Sequence, residues 1–318
     1  MSRQLTDVPQ DPPGAYTYGF YSDEDDDDDR AFYSDVDEDD CHASSKTLGS
    51  STQAYRYENG RRYHAYRDGA YWGPNDETDS YHQALVDVAD QYPDSEVIGT
   101  DLSPVWDPPV QPNLRFEVDD CCSEWAYPPD FREKLDLIHI RGLYGSVENW
   151  KALYQECYDH LAPGGYIEQA EPDTQPYNEH GPLPPDSHLS KLAELIETFA
   201  KAMKKPVTIS KTMKQKIIDA GFVDVVERRF KVPLGAWSSD PRQRDIGRVY
   251  QKSREVGMEG WFLAPATRLL GWSVEEAKAF IDKTCRVTND DSNRVYFETA
   301  YVYGRKPLED EQSTSIQE

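Results

Sequence analysis

Four short apolar runs constrain this chain more than any other feature: EVIGT (96–100), LRFEV (114–118), LDLIHI (135–140) and YIEQAEP (166–172). Each has the length of a strand, and each is bounded by charged or turn-forming residues. Helical patterns lie around them. Tyr81, Leu85, Val88 and Tyr92 form one stripe of a helix predicted over 78–92, which Pro93 and Asp94 stop. Trp150, Leu153, Cys157 and Leu161 share a face of a helix over 146–161, and the APGG of 162–165 offers it a glycine for a left-handed cap. Strands alternating with helices through short turns predict an α/β fold, a doubly wound, mostly parallel sheet with helices on its faces. The unbroken apolar character of LDLIHI predicts burial on both faces.

Further on, Leu189, Leu192, Ile196, Phe199 and Met203 mark a helix over 186–204. Ile209, Met213 and Ile217 mark another, closed by Gly221. Two late strands, FVDVVERRFKV (222–232) and RVYFETAYVYGRK (294–306), flank a helical insertion over 241–290, where Ser273 and Glu276 form a capping box. Such a pair suits the antiparallel close of the sheet in the methyltransferase variant of this layout. Parallel crossovers would be expected of a nicotinamide-binding sheet.

The formal net charge is -25, and the first 54 residues carry an outsized share of it. SDEDDDDDRAFYSDVDEDD (22–40) repels itself and buries no core, so residues 1–54 are expected to form a disordered acidic arm. The folded part is expected over 55–307, with 308–318 a disordered tail. YRYENGRRYHAYRDGAYW (55–72) suits a lid or a docking helix, or simple packing. An acidic chain without a basic stripe argues against direct nucleic-acid binding. Five cysteines without a CxxC pair read as free thiols of a reducing compartment. The start has no apolar leader, and no apolar run reaches ~18 residues. A soluble intracellular protein, with no membrane partner, is expected.

Ligands of such sheets sit beyond the carboxyl ends of the strands. Asp101 follows EVIGT, where an ionised carboxylate can accept from both hydroxyls of a ribose. Asp119, Asp120 and Cys121 follow LRFEV, where a carboxylate can accept from an adenine amino group. His139 and Arg141 end LDLIHI, facing a reacting centre. Each also has a plainer reading: a turn acid, a core histidine, an ion-paired arginine. Together, at three consecutive strand ends, they point to a nucleotide-like ligand.

The segments YENGRRYHAYRDGAYWGPNDE, EVIGTDLSP, NLRFEVDD, DLIHIRGLYGSVENW, YDHLAPGGYIEQAE, LPPDS, AGFVDVVERRFKVPLGAW and VYGRKP resemble the fungal LaeA-type methyltransferases, in order, from about Tyr55 to Pro307. The resemblance implies the class I (Rossmann-like) fold, S-adenosylmethionine as cosubstrate and a link to secondary metabolism. By position it implies Asp101, with the adjoining Leu102, on the ribose, and Asp119, Asp120 and Cys121 at the adenine. It implies Arg141 at the methyl site and, more loosely, Tyr63 and His64 in the leading segment. Nuclear rather than cytoplasmic residence follows only from the regulators of that family. The methyl acceptor, a small molecule or a protein, is not legible. His139 is the candidate general base for a hydroxyl acceptor.

One element of the family pattern is missing. A strand and a glycine-rich turn should precede Asp101 by about 20 residues. That place holds ETDSYHQALVDVADQ, without a glycine. The central strand would be lost and its neighbours left with open edges, unless another segment substitutes. Three explanations stand: coding sequence skipped upstream, a non-catalytic relative acting as a scaffold or regulator through protein partners, or a site rebuilt from another segment. The reading of Asp101 as the ribose-binding acid expects it at the rim of one sheet that holds both 96–100 and 135–140.

Overall fold

The computed structural model describes residues 56–63, 71–72, 74, 81–103, 111–125, 127, 131 and 133–314. The acidic arm and His64 lie outside them. The described part opens with a hairpin, β1 (Arg56–Glu58) and β2 (Arg61–Tyr63). Asn59 and Gly60, both at positive φ, make its turn, the geometry an Asn-Gly pair favours. For this segment a lid or docking helix and simple packing stood as equal alternatives; its described residues 56–63 form a hairpin, set by Asn-Gly between extended residues.

Helix α1 (Tyr81–Gln91) leads into β3 (Val97–Asp101) and the parallel β4 (Leu114–Val118). The Asn113 side-chain amide ties this unit together, donating to the carbonyls of Ala89, Tyr92 and Ser95 at 3.0–3.1 Å. Gly99 is required here: a Cβ would lie 2.6 Å from Leu85 on α1 and 2.7 Å from Phe116 on β4.

A second, larger sheet follows. β5 (Leu135–Arg141) leads through α2 (Trp150–His160) into the parallel β6 (Leu161–Pro172). A two-residue β7 (Tyr177–Asn178), α3 (His188–Met203) and α4 (Met213–Asp219) precede β8 (Val223–Pro233). Then come α5 (Pro241–Leu270), α6 (Val274–Thr288), β9 (Val295–Arg305) and α7 (Glu309–Thr314). β9 runs antiparallel to β8 on one edge and to β6 and then β7 on the other. The antiparallel close, the helical insertion and the Ser273–Glu276 capping box are all present. Where a disordered tail was expected, α7 continues the order: Glu311 binds Arg305 and accepts from the Leu308 amide.

One face of the large sheet is a core. Ile140, Ile167, Ala300 and Val302 pack on Trp150, Leu153 and Tyr154 of α2 and on Met213 and Ile217 of α4. A second core joins α3, α5 and α6 through Leu192, Phe199, Phe262, Leu263, Ala277 and Ile281.

Three expectations are corrected. Segments 96–100 and 135–140 do not share a sheet: β3 pairs only with β4, and β5 only with β6, among the described residues. The element that would pair with both is the missing strand. In addition, β5 is buried on one face only, because no described helix packs on the other. Leu137 is 47% exposed, and Tyr166, Val226 and Phe230 lie exposed on the same side of the sheet. Lastly, APGG does not cap α2. The wholly buried Leu161 is already extended, so β6 begins at once and carries Gly164 (φ 84°) within it, bonded to Lys306.

Candidate active site

Parallel pairing brings the carboxyl ends of β3 and β4 together. Asp101 stands opposite Val118, and the Asp119 amide donates to the Asp101 carbonyl at 2.9 Å. The exposed Asp101 carboxylate accepts from the amide of Ser103, at 2.9 Å, which fixes its rotamer at the rim. Leu102 between them is half-buried. Asp119 accepts from the Asp120 amide, and Asp120 from the Cys122 amide, so 119–123 is a tight polar turn. Cys121 is half-buried against the α2 core and its carbonyl accepts from the Trp125 indole at 3.1 Å. The Cys121 thiol donates to the Cys122 sulfur, which, with burial, holds Cys121 well above the usual thiol range. The same bond, and the Lys205 ammonium nearby, draw Cys122 down. Five residues predicted on an adenosine, Asp101, Leu102, Asp119, Asp120 and Cys121, thus share one rim.

At the end of β5 the loop 142–146 is held from beneath. Glu171 of β6, wholly buried, accepts from the amides of Leu143 and Tyr144, both at 3.1 Å, and from the Gln169 side chain at 3.2 Å. Gln169 in turn accepts from the Tyr154 hydroxyl at 2.6 Å. Burial pushes the Glu171 carboxyl up to about 7, against the pull of these donors. The Gly145 amide donates to the Pro206 carbonyl, next to Lys205, so the 205–206 segment links this loop to the turn 119–123. Gly145, at φ 73°, would bring a Cβ to 3.2 Å from the Trp72 indole nitrogen. That nitrogen donates to the Gly145 carbonyl at 3.0 Å.

Above the loop, Tyr144 stacks on Trp261 of α5, with centroids 4.6 Å apart and planes 9° from parallel, and Trp72 meets Trp261 edge-on at 4.7 Å. This aromatic group roofs a small apolar cavity between α3 and α5, of about 30 Å³, room for about one water. The pocket lies at the carboxyl ends of β5 and β6, through Tyr144 and Thr174.

The remaining predicted residues fall elsewhere. Arg141 ends β5, exposed. His139 sits two residues short of that end, on the open face of the sheet, its Nδ1 2.9 Å from Glu168, and does not line the pocket. Tyr63 is buried beneath the Arg268 guanidinium of α5, which Glu58 grips through both carboxylate oxygens. Sequence reasoning missed Glu171, Tyr144 and Trp261. Glu171 left a trace in YIEQAEP, where Gln169 and Glu171 fall on one side of a buried strand. Trp261 left none, because α5 reaches the site only through the tertiary fold.

Residues 81–223 match a family profile described as a methyltransferase domain. The chain is 35% identical over 258 residues to the secondary metabolism regulator LAE1 of Cochliobolus heterostrophus, covering 68% of this chain and 83% of the relative. It is 29% identical over 302 residues to the methyltransferase pytC of Aspergillus terreus, covering 83% and 92%. It is 28% identical over 298 residues to the protein-methionine methyltransferase laeA of Emericella nidulans, covering 81% and 78%.

Proposed function

The chain belongs to the fungal LaeA-like methyltransferase family, and on that premise we propose that it binds S-adenosylmethionine and transfers its methyl group to an acceptor held at the end of β5 and β6. The observation that carries this reading is the shared rim of β3 and β4. There, Asp101 offers an anchored carboxylate to two ribose hydroxyls, and the turn of Asp119, Asp120 and Cys121 offers acceptors and an amide to an adenine. This half fits the adenosine. At the methionine end the glycine-rich turn is missing, and the amides of loop 142–146 are engaged: Leu143 and Tyr144 with Glu171, Gly142 and Gly145 with backbone carbonyls. Binding therefore rests on the adenosine.

In the transfer, an acceptor lone pair attacks the methyl carbon and the sulfonium leaves as a neutral thioether. An acceptor hydroxyl or amine gives its proton to solvent or to a base. The protein contributes alignment of the two reactants, a proximity effect. Glu171 acts by fixing the backbone of 143–144 at the end of β5.

Titration of the full chain with S-adenosylhomocysteine tests the reading. A binding heat in the micromolar range is expected, with a loss of at least tenfold in affinity for Asp101→Ala. Folded protein that gives no heat would overturn it and leave a methyltransferase-shaped scaffold working through partners.

A further inference from the structure

Two adjacent thiols and a carboxylate converge in the turn after β4. The ligand atoms of Asp120, Cys121 and Cys122, a carboxylate oxygen and two sulfurs, all lie within 4.8 Å of one another. The backbone that carries them is fixed. The Ser123 amide donates to the Asp120 carbonyl at 2.9 Å, and the Ser123 hydroxyl donates to the same oxygen at 2.8 Å. Cys121 and Cys122 are the two central residues of the turn so closed. The Trp125 indole holds the Cys121 carbonyl at 3.1 Å, and the Asp120 carboxylate holds the Cys122 amide at 2.9 Å. That last bond uses one of the roughly four lone-pair sites of a carboxylate. Cys121 is half-buried, and Cys122 is exposed, so its sulfur can rotate toward an ion arriving from solvent.

We propose that Asp120, Cys121 and Cys122 form a binding site for a thiophilic divalent cation of the zinc class, with the fourth position open to water. In a tetrahedral zinc site, sulfur at about 2.3 Å and oxygen at about 2.0–2.2 Å put ligand atoms roughly 3.3–3.8 Å apart, so small side-chain rotations close this set. Two sulfurs select such a cation over magnesium or calcium, which take oxygen shells. Binding forms two metal–sulfur bonds and one metal–oxygen bond, and both thiol protons leave to solvent. Two thiolates and a carboxylate around a divalent ion leave one negative charge, which the nearby Lys205 ammonium offsets. The site stands on this turn alone and needs no methyl transfer. On the methyl-transfer reading, metal here takes the acceptors given to the adenine, so cation and cosubstrate exclude each other.

The test titrates cadmium into the full, reduced chain and follows the ultraviolet sulfur-to-metal charge-transfer band, which carboxylates alone do not give. A saturable band of two-thiolate intensity is expected at one ion per chain, displaced by zinc and unaffected by a large excess of magnesium. Cys122→Ser should at least halve the band and weaken cadmium binding at least tenfold. Asp120→Asn, which keeps the acceptor for the Cys122 amide, should weaken zinc binding at least tenfold. Cys285→Ser, on α6, should change neither. No band, a band of one-thiolate intensity, loss of the band to magnesium, or an unchanged affinity in either Cys122→Ser or Asp120→Asn would overturn the proposal. Band intensity and stoichiometry on wild-type protein decide the matter even if a variant fails to fold. S-adenosylhomocysteine is left out of these titrations, so failure of the metal site leaves the methyl-transfer reading standing, and failure of that reading leaves the metal site standing.

Discussion

Glu171→Gln separates the electrostatics of the site from its packing. Glu171 is wholly buried and accepts three N–H bonds, yet burial outweighs them and raises its carboxyl from 4.5 to about 7. The folded state then holds this proton more tightly than the unfolded chain. Its contribution to stability is complete below pH 4.5 and is lost as the pH rises through about 7. At about 1.4 kcal/mol per unit, the loss between those limits is roughly 3 kcal/mol. Glutamine keeps the shape but cannot ionise, so its stability has no such dependence. It also turns an NH₂ toward the Leu143 or Tyr144 amide, a pH-independent cost of about 1–3 kcal/mol for the unsatisfied group.

The assay is urea unfolding of both proteins at pH 5 and pH 8. The variant should be the less stable at pH 5. By pH 8 the difference should have moved in its favour by roughly 3 kcal/mol, equalling or exceeding wild type. All other titrating groups are common to both, so only the change in the difference matters. If the two stabilities shift in parallel with pH, Glu171 is ionised throughout, and the balance of burial against hydrogen bonding drawn here is wrong.

Two predictions concern the scaffold. Ser273→Ala removes one arm of the α6 capping box, in which Ser273 accepts from the Glu276 amide and Glu276 from the Ser273 amide; a loss of about 1 kcal/mol in urea unfolding is expected, and no loss would mean the cap is frayed in solution. Leu137→Lys places a charge on the open face of the large sheet, where Leu137, Tyr166 and Phe230 are exposed. Light scattering should show less concentration-dependent association than wild type, and unchanged association would show that this face is not what makes the protein sticky.

The sequence made some elements legible because local signals agreed with tertiary need. LRFEV is a strand with the boundaries its residues predict, and the Ser273–Glu276 pair starts α6. Others were misread where one local signal masked another. The aromatics of 55–72 left a lid or docking helix and simple packing both open and masked the turn that Asn59–Gly60 encodes. In APGG the glycines suggested a cap, while burial of Leu161 set the chain into a strand. The gathering of Asp101, Asp119, Asp120 and Cys121 on one rim was legible because each lies at or just after the end of a strand. The pocket was not, because Tyr144, Trp72 and Trp261 come from three distant segments and meet only in the fold.

The divided sheet ties these observations together. The absence of a glycine turn before Asp101 predicted open edges on two strands, and among the described residues β3 and β5 each pair on one side only. The α1–β3–β4 unit stays coherent because Asn113 closes it and Gly99 lets α1 approach. Its connection to the rest runs through Cys121 and Trp125 against the α2 core and through Lys205 beside the turn 119–123. Side-chain packing, with no shared ladder of backbone hydrogen bonds among the described residues, therefore sets the distance between the rim of β3 and β4 and the ends of β5 and β6. Methyl transfer demands in-line approach within a few tenths of an ångström, and a 1 Å misplacement can cost about 100-fold in rate. On the proposed reading cofactor binding depends on the first unit and acceptor binding on the second, so both can survive in this chain while turnover, which needs the two in register, is the property most exposed to the missing strand.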